Sequence, residues 1–390
     1  MTTIAQIILA IALVLSIILP FGYYLIGEKN RGRYKTALGV NAFFFFGTML
    51  IAIAVMFTGA SSVQAAAGSE GTLATGMGYI AAALVTGTCA ATVSAKEEKT
   101  YTIGICQLVQ HDALDAATKG FEDAITEKMG DSVKFDEQNA QGDSNTCSTI
   151  INSFVSNHVD LILANATPSL QAAQAGTNEI PVLGTAVTEY GVALGIDGFD
   201  GLVGGNISGT SDLAPLDEQA AMLHELFPDA KNVGLLYCSA EANSQYQVDT
   251  VKAALEEMGY TCEYYAFSDS NDLATITTNA ATNSDVIYVP TDNTVAANTE
   301  IVNNICQPAK VPVIAGEEGI CSGCGVATLS ISYYDLGVAT GKMAVKILTG
   351  EANVSEMPIE YAPQFTKKYN KTICDALEIT VPDDYVAIEE

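Results

Sequence analysis

Asp160-Leu-Ile-Leu-Ala-Asn-Ala-Thr-Pro-Ser-Leu-Gln-Ala-Ala173 holds the unit on which the soluble part of this chain is built. Residues 161–164 are a short apolar run, the pattern of a strand buried on both faces. Residues 165–168 are turn chemistry. Thr167 is suited to cap a helix whose first turn holds Pro168, where a missing N–H costs nothing. Strand, turn and capped helix place free backbone N–H groups, with the hydroxyls of Thr167 and Ser169, at the carboxyl end of a parallel sheet. Open α/β sheets bind ligands there, and a helix N-terminus favours an anionic group.

The same unit repeats on either side. Strands are predicted at 101–107, 133–139 and 181–186, with helices over 112–129 and from Asp143 or Ser144 to 155; Leu114, Ala117, Phe121 and Ile125 fall on one helical face. Gly201, Gly204, Gly205 and Gly209 then cluster without forming a dinucleotide fingerprint, and 204–212 reads as a strand end and a crossing. A second series follows from Pro215. Its predicted strands are 232–238, 261–267, 286–289, 311–315 and 326–330, and a striped helix ends at Gly350. Such alternation argues doubly wound parallel sheets. Two similar series make an α/β protein of two lobes with a cleft between them.

Charge is distributed very unevenly over the 390 residues. The first 95 carry four basic and two acidic residues, net +2; the rest carry 13 basic and 43 acidic, net −30. So acidic a domain repels phosphate backbones, which argues against nucleic acid as a partner. Residues 4–27 and 37–59 are uncharged and long enough to span a bilayer as helices; 71–95 is uncharged but thin in large apolar residues. Glu28-Lys-Asn-Arg-Gly-Arg-Tyr-Lys35 between the first two is predicted to lie in the cytoplasm. Two spans then leave the acidic domain outside, whereas a third would return it. Residues 1–95 are thus expected to be a membrane segment of two to three transmembrane helices, and 96–100 a polar linker. Nine cysteines cannot all pair within one chain. Cys321-Ser-Gly-Cys324 reads as a local disulfide or two free thiols, since zinc needs two further ligands and the histidines lie far off in sequence.

Gly76-Met-Gly-Tyr-Ile-Ala-Ala-Ala-Leu-Val-Thr-Gly87 and the two stretches before it resemble the N-terminal part of the membrane-rotor proteolipid of ATP synthases, over about residues 1–88. The acidic ion carrier of that family has no counterpart in these stretches, so ion translocation is not implied. Gly104-Ile-Cys-Gln-Leu-Val-Gln-His-Asp-Ala-Leu-Asp-Ala-Ala-Thr-Lys-Gly-Phe121 is similar to the opening of ABC transporter substrate-binding proteins of the subfamily linked with tryptophan and other aromatic amino acids. Asn139-Ala-Gln-Gly-Asp143, Ala166-Thr-Pro-Ser169, Asn206-Ile-Ser-Gly-Thr-Ser211 and Ala376-Leu-Glu-Ile-Thr-Val-Pro382 carry the same resemblance. It implies a type I periplasmic-binding fold with lobe 1 at 100–208 plus 331–350 and lobe 2 at 209–330 plus 351–390. It also implies an ABC permease as partner and a small-molecule, amino-acid-like ligand.

In such an architecture the site forms from loops at strand ends facing the cleft. From lobe 1 these offer Gln107, His111, Ala166, Thr167, Ser169, Thr185 and Ala186; from lobe 2, Ser239, Asn243, Asp292 and Glu317. Thr167, Ser169 and Thr185 are hydroxyl donors suited to a carboxylate. Asp292 is an acceptor suited to an ammonium, or a cap for the helix after it. No nucleophile–base pairing, metal set or cofactor motif stands out, so the chain reads as a binder rather than an enzyme. A membrane-anchored sensing or structural module, and a rotor fragment fused to a binding domain, stay open as alternatives.

Overall fold

The computed structural model describes residues 100–388 except Pro363, all within one compact unit. The expected membrane segments, most of the linker and the rotor-like stretch lie outside the described residues. Among the described residues no helix is long and apolar enough to cross a membrane.

Strands and helices alternate as the apolar pattern demands. Lobe 1 begins β1 (Tyr101–Gln107), α1 (Asp112–Met129), β2 (Val133–Asn139), α2 (Ser144–Asn157), β3 (Leu161–Asn165), α3 (Thr167–Gly176), β4 (Val182–Val187), α4 (Tyr190–Leu194) and β5 (Ile207–Ser211). Lobe 2 follows with α5 (Leu216–Leu226), β6 (Asn232–Cys238), α6 (Ala242–Glu257), β7 (Thr261–Phe267), α7 (Ser270–Asn283), β8 (Val286–Val289), α8 (Asn293–Ala296), α9 (Thr299–Ala309), β9 (Val313–Ala315), α10 (Glu318–Cys324) and β10 (Ala327–Ser330). The chain then returns to lobe 1 for α11 (Tyr333–Thr349) and β11 (Glu360–Tyr361). It finishes lobe 2 with β12 (Thr366–Tyr369), α12 (Lys371–Leu377) and β13 (Val386–Ala387).

The lobe 1 sheet has the order β11-β5-β4-β3-β1-β2 and is parallel throughout. The lobe 2 sheet runs β13-β12-β10-β9-β8-β6-β7, with one antiparallel pair, β10 with β12. The central strands β3 and β8 are buried at every position, as parallel strands covered on both faces must be. Edge strands β2 and β7 carry the exposed positions.

Two corrections follow. All of β5 pairs within lobe 1, so the first crossing falls after Ser211 and not at 208. The third falls at 362–365 and not near 351. Val354 and Met357 pack with Ile103 and Phe121, and Glu360 and Tyr361 pair with Thr210 and Ser211. Apolar burial keeps 351–361 with lobe 1, although little in that stretch resembles a strand. Of the two readings left open for Cys321 and Cys324, the structure has the free thiols, both on α10, like every cysteine among the described residues.

Helix α11 is held to lobe 1 by close contact with α1. A Cβ added at Gly337 would lie 2.0 Å from the Ala117 carbonyl oxygen, and one at Gly120 would lie 2.1 Å from that of Tyr334. Beneath the cleft, the Thr340 hydroxyl on α11 bonds those of Thr210 (2.7 Å) and Thr185 (3.2 Å), tying the helix to β5 and β4.

Candidate functional site

The carboxyl ends of both sheets face one cleft. His111 at the start of α1, with Ala186 and Thr188 after β4, form its lobe 1 wall; Asn243, Thr291, Asp292, Asn293 and Glu317 form its lobe 2 wall. Asp212 and Tyr333, from the first and second crossings, form the floor. The lobes touch across it. His111 Nε2 lies 3.1 Å from Asn293 Oδ1, and the Thr188 and Thr291 hydroxyls lie 3.4 Å apart. The space left is about 10 Å³, the room of about one water, so a larger guest enters only as the lobes part.

Three carboxylates are buried in this wall. The Asp292 Oδ2 atom accepts from the Cys238 N–H (2.6 Å) and the Ser244 hydroxyl (2.8 Å), while its Oδ1 caps α8 by accepting from the Val295 N–H (2.9 Å). Burial and the neighbouring Glu241 carboxylate nevertheless push it up to about 8. Glu317 caps α10 through the Gly319 and Ile320 N–H groups, and burial raises it to about 7. Asp212 is raised by burial, partly offset by the Tyr333 hydroxyl that donates to its Oδ2 (2.9 Å). Behind them, Glu241 clasps the start of α8. Its Oε1 accepts from the Thr294 N–H (2.9 Å) and hydroxyl (2.8 Å), and its Oε2 accepts from the Asn293 N–H (3.0 Å) and side-chain amide (2.6 Å).

These carboxyl groups bind protons more tightly folded than unfolded, so the stability they give is complete near pH 4 and is lost as pH rises through about 7 and 8. His111, held below its usual value chiefly by burial, works the other way, but only below about pH 6.5. Carboxylates held low on the surface, such as Asp285 beneath the Lys231 and Asn232 N–H groups, act only in acid. The melting temperature without ligand is therefore expected to fall between about pH 6.5 and 8.5, as circular dichroism would measure. A flat or rising profile would contradict this reading of the cleft.

Three polar atoms in the cleft wall have no hydrogen-bond partner: His111 Nδ1, Asp212 Oδ1 and Asn243 Oδ1. The hydrogen-bond network assigns His111 Nδ1 and Asn243 Oδ1 as acceptors, and Asp212 Oδ1 accepts in the ionised form of its carboxyl. Asn293 gives its amide NH₂ to Glu241, so its oxygen faces His111 and takes the proton on Nε2; a neutral imidazole then leaves Nδ1 bare. Asn243 donates its amide NH₂ to the Thr291 carbonyl (2.9 Å), leaving its oxygen free. Asp212 and Asn243 are each only 5% exposed, so solvent does little for their orphaned oxygens.

Of the residues expected from sequence, His111, Ala186, Asn243, Asp292 and Glu317 line the cleft. The rest lie outside its lining, Gln107, Ser169, Thr185 and Ser239 each held by a competing bond. Gln107 donates to Asp115 (2.6 Å) and accepts from Thr118 (2.7 Å), binding β1 to α1. Ser169 sits between the thiols of Cys106 and Cys147, at 3.7 and 3.6 Å. Thr185 is taken by the threonine chain beneath the cleft. Ser239 is exposed and bonds the Phe267 carbonyl. Ala166, not Thr167, is the N-cap of α3, with φ 86° and ψ 158°, and Thr167 makes no capping bond. Asp212, Glu241, Thr291 and Tyr333 were not singled out. An acidic residue directly after the buried strand β5 was the available signal for Asp212.

The family model for ABC transporter substrate binding proteins matches residues 102–388. The chain is 37% identical over 290 residues to a tyrosine-binding protein of Clostridioides difficile, covering 74% of this chain and 80% of that one. Among solved structures it resembles an ABC domain in complex with L-Trp from Streptococcus pneumonia, at 35% identity and TM-score 0.70, covering 73% of this chain and 96% of that one. It also resembles the ligand-free, open structure of a substrate binding protein with adhesive properties from Clostridium difficile. That match has 38% identity and TM-score 0.57, over 74% and 99% of the two chains. The family model starts at residue 102, beyond the rotor-like stretch, whose resemblance to the ATP synthase proteolipid finds no support.

Proposed function

We propose that this chain, which belongs to the family of ABC transporter substrate-binding proteins, captures an aromatic amino acid by closing its lobes on the ligand's ammonium group. The observation that carries the reading is the set of three orphaned acceptors, His111 Nδ1, Asp212 Oδ1 and Asn243 Oδ1, in one buried cleft. An ammonium brings three N–H donors and a positive charge. These acceptors come from lobe 1, the first crossing and lobe 2, so a ligand bound to them favours the closed arrangement by its differential contacts with it. The aromatic preference draws on the tyrosine-binding and L-Trp-bound relatives. Closure draws on the cross-lobe bonds and on the higher TM-score against the L-Trp complex than against the open, slightly more identical relative.

Delivery to an ABC permease belongs to the same proposal. So does tethering at the cell membrane with the acidic domain outside the cytoplasm, which rests on the uncharged stretches 4–27 and 37–59 and the basic loop between them. Calorimetric titration with a panel of amino acids tests the ligand: tyrosine or tryptophan is expected to bind most tightly, and binding of a sugar or nucleoside in place of any amino acid would overturn the reading. Labelling intact cells at a cysteine engineered near Lys96 with a membrane-impermeant reagent tests the placement. Protection would reverse it.

A further inference from the structure

We infer that Glu241, behind the cleft wall, is a positioning residue of the ligand site: acting through Asn293, it decides which ring nitrogen of His111 is bare and so makes His111 an acceptor for the ligand's ammonium. The inference rests on the proposed reading for that ammonium and goes beyond it in naming what sets the polarity of the wall.

Glu241 occupies the N-cap position of α6, yet its side chain makes no capping bond there. It is buried, and its carboxylate is turned to the start of α8 instead. One oxygen accepts from the Asn293 N–H (3.0 Å) and the other from the Thr294 N–H (2.9 Å), and a backbone N–H cannot be reversed. The carboxylate therefore shows only acceptors to the Asn293 side chain, whose amide must present its NH₂, at 2.6 Å. With that end committed, the amide oxygen is left facing lobe 1. There His111 Nε2 lies 3.1 Å away and has to carry the proton. Burial outweighs the bond to Asn293 and the nearby Glu241, Asp115 and Asp112 carboxylates, so the imidazole is held neutral with one proton, and Nδ1 has none.

The same Glu241 oxygen lies 3.4 Å from the Asn243 amide, which also gives its NH₂ to the Thr291 carbonyl. Two of the three bare acceptors are thus oriented with the help of one carboxylate that need not touch the ligand. Turned the other way, the Asn293 amide would donate to Nε2 and drive the proton to Nδ1. An arriving ammonium would then meet N–H with N–H. Because the His111–Asn293 bond joins lobe 1 to lobe 2, this polarity is set as the lobes close.

The chain has three histidines, so isotopic labelling of histidine nitrogen in the full-length protein resolves the His111 ring by NMR, with His111→Gln assigning its signals. With L-tyrosine or L-tryptophan bound, the native chain is expected to show a neutral His111 with its proton on Nε2. Glu241→Gln puts an NH₂ in place of one carboxylate oxygen. Asn293→Leu removes the amide and leaves Glu241 its two backbone N–H donors and the Thr294 hydroxyl. Each variant is expected to lose the single tautomer and to weaken binding, measured by calorimetry, by about tenfold or more. A native His111 protonated on Nδ1, or on both nitrogens, with the amino acid bound would overturn the inference and leave the amino-acid reading standing. So would variants that bind more weakly with the native tautomer retained, the mark of a merely structural Glu241, or variants that lose the tautomer and bind as before. Should Glu241→Gln fail to fold, Asn293→Leu and the native spectrum still decide. A native chain that binds neither amino acid overturns the reading itself, and the inference with it.

Discussion

Replacing Asp212 with Asn is expected to weaken amino-acid binding by about 2–5 kcal/mol, a loss of about 30-fold or more. Asp212 lies in the cleft floor at the first crossing, with Oδ2 accepting from Tyr333 and Oδ1 unpaired. An amide keeps the shape and can still accept from Tyr333 through its oxygen. Its NH₂ then replaces the orphaned acceptor, so a donor faces the ligand's donor and the charge is gone. Calorimetry on Asp212→Asn beside the native chain measures the loss; unchanged affinity would remove Asp212 from the site. Asp292→Asn provides the contrast. That carboxylate accepts from Cys238, Ser244 and Val295, so an amide there opposes a backbone N–H with its own NH₂. Its principal effect is expected on the melting temperature of lobe 2, because Asp292 serves the fold before it serves a ligand.

Gly337→Val is expected to lower stability by about 3 kcal/mol or more. The Cβ alone would lie 2.0 Å from the Ala117 carbonyl oxygen, which belongs to helix backbone and cannot swing aside. α11 must therefore move off α1, uncovering the apolar face that holds Phe121, Met343 and Ala344. Overpacking of this kind typically costs about 1–3 kcal/mol, and a β-branched residue within the helix gives little back against glycine. Separation of the helices adds lost burial at about 25 cal/mol per Å² of apolar surface. Denaturant unfolding with both chains measures the difference. A melting curve superimposable on the native one would mean that α1 and α11 do not meet as closely as described.

Periodicity made the two series of strands and helices legible. Residues 161–164 are apolar because β3 is covered on both faces, and Leu114, Ala117, Phe121 and Ile125 are spaced for a helix face because α1 packs that face inward. The short elements were not legible. β11 has two exposed residues and α8 one turn, too little for a pattern, and their places come from long-range pairing. In the site, the loops were foreseeable but the direction of each side chain was not. Thr167, Ser169 and Thr185 carry the right chemistry, yet the hydroxyls of Ser169 and Thr185 are spent within lobe 1 on thiols and threonines remote in sequence. Asp292 presents both faces of the problem: the same carboxylate caps α8 and lines the cleft, and sequence alone gives no means of ranking the two roles.

The position of the third crossing also sets an order of events at the ribosome. Lobe 1 obtains α11 and its edge strand β11 only after the whole series from α5 to β10 has been synthesised. Until then the side of α1 at Ala117, Gly120 and the Phe121 backbone, which meets Tyr334, Gly337 and Gly341, has no helix to close against. The first lobe therefore emerges with apolar surface open and must wait, sheltered or at risk of sticking to a neighbour, while the second is made. Neither lobe is a contiguous length of chain, so both are completed only near the end of synthesis, lobe 1 with β11 and lobe 2 with β12 to β13.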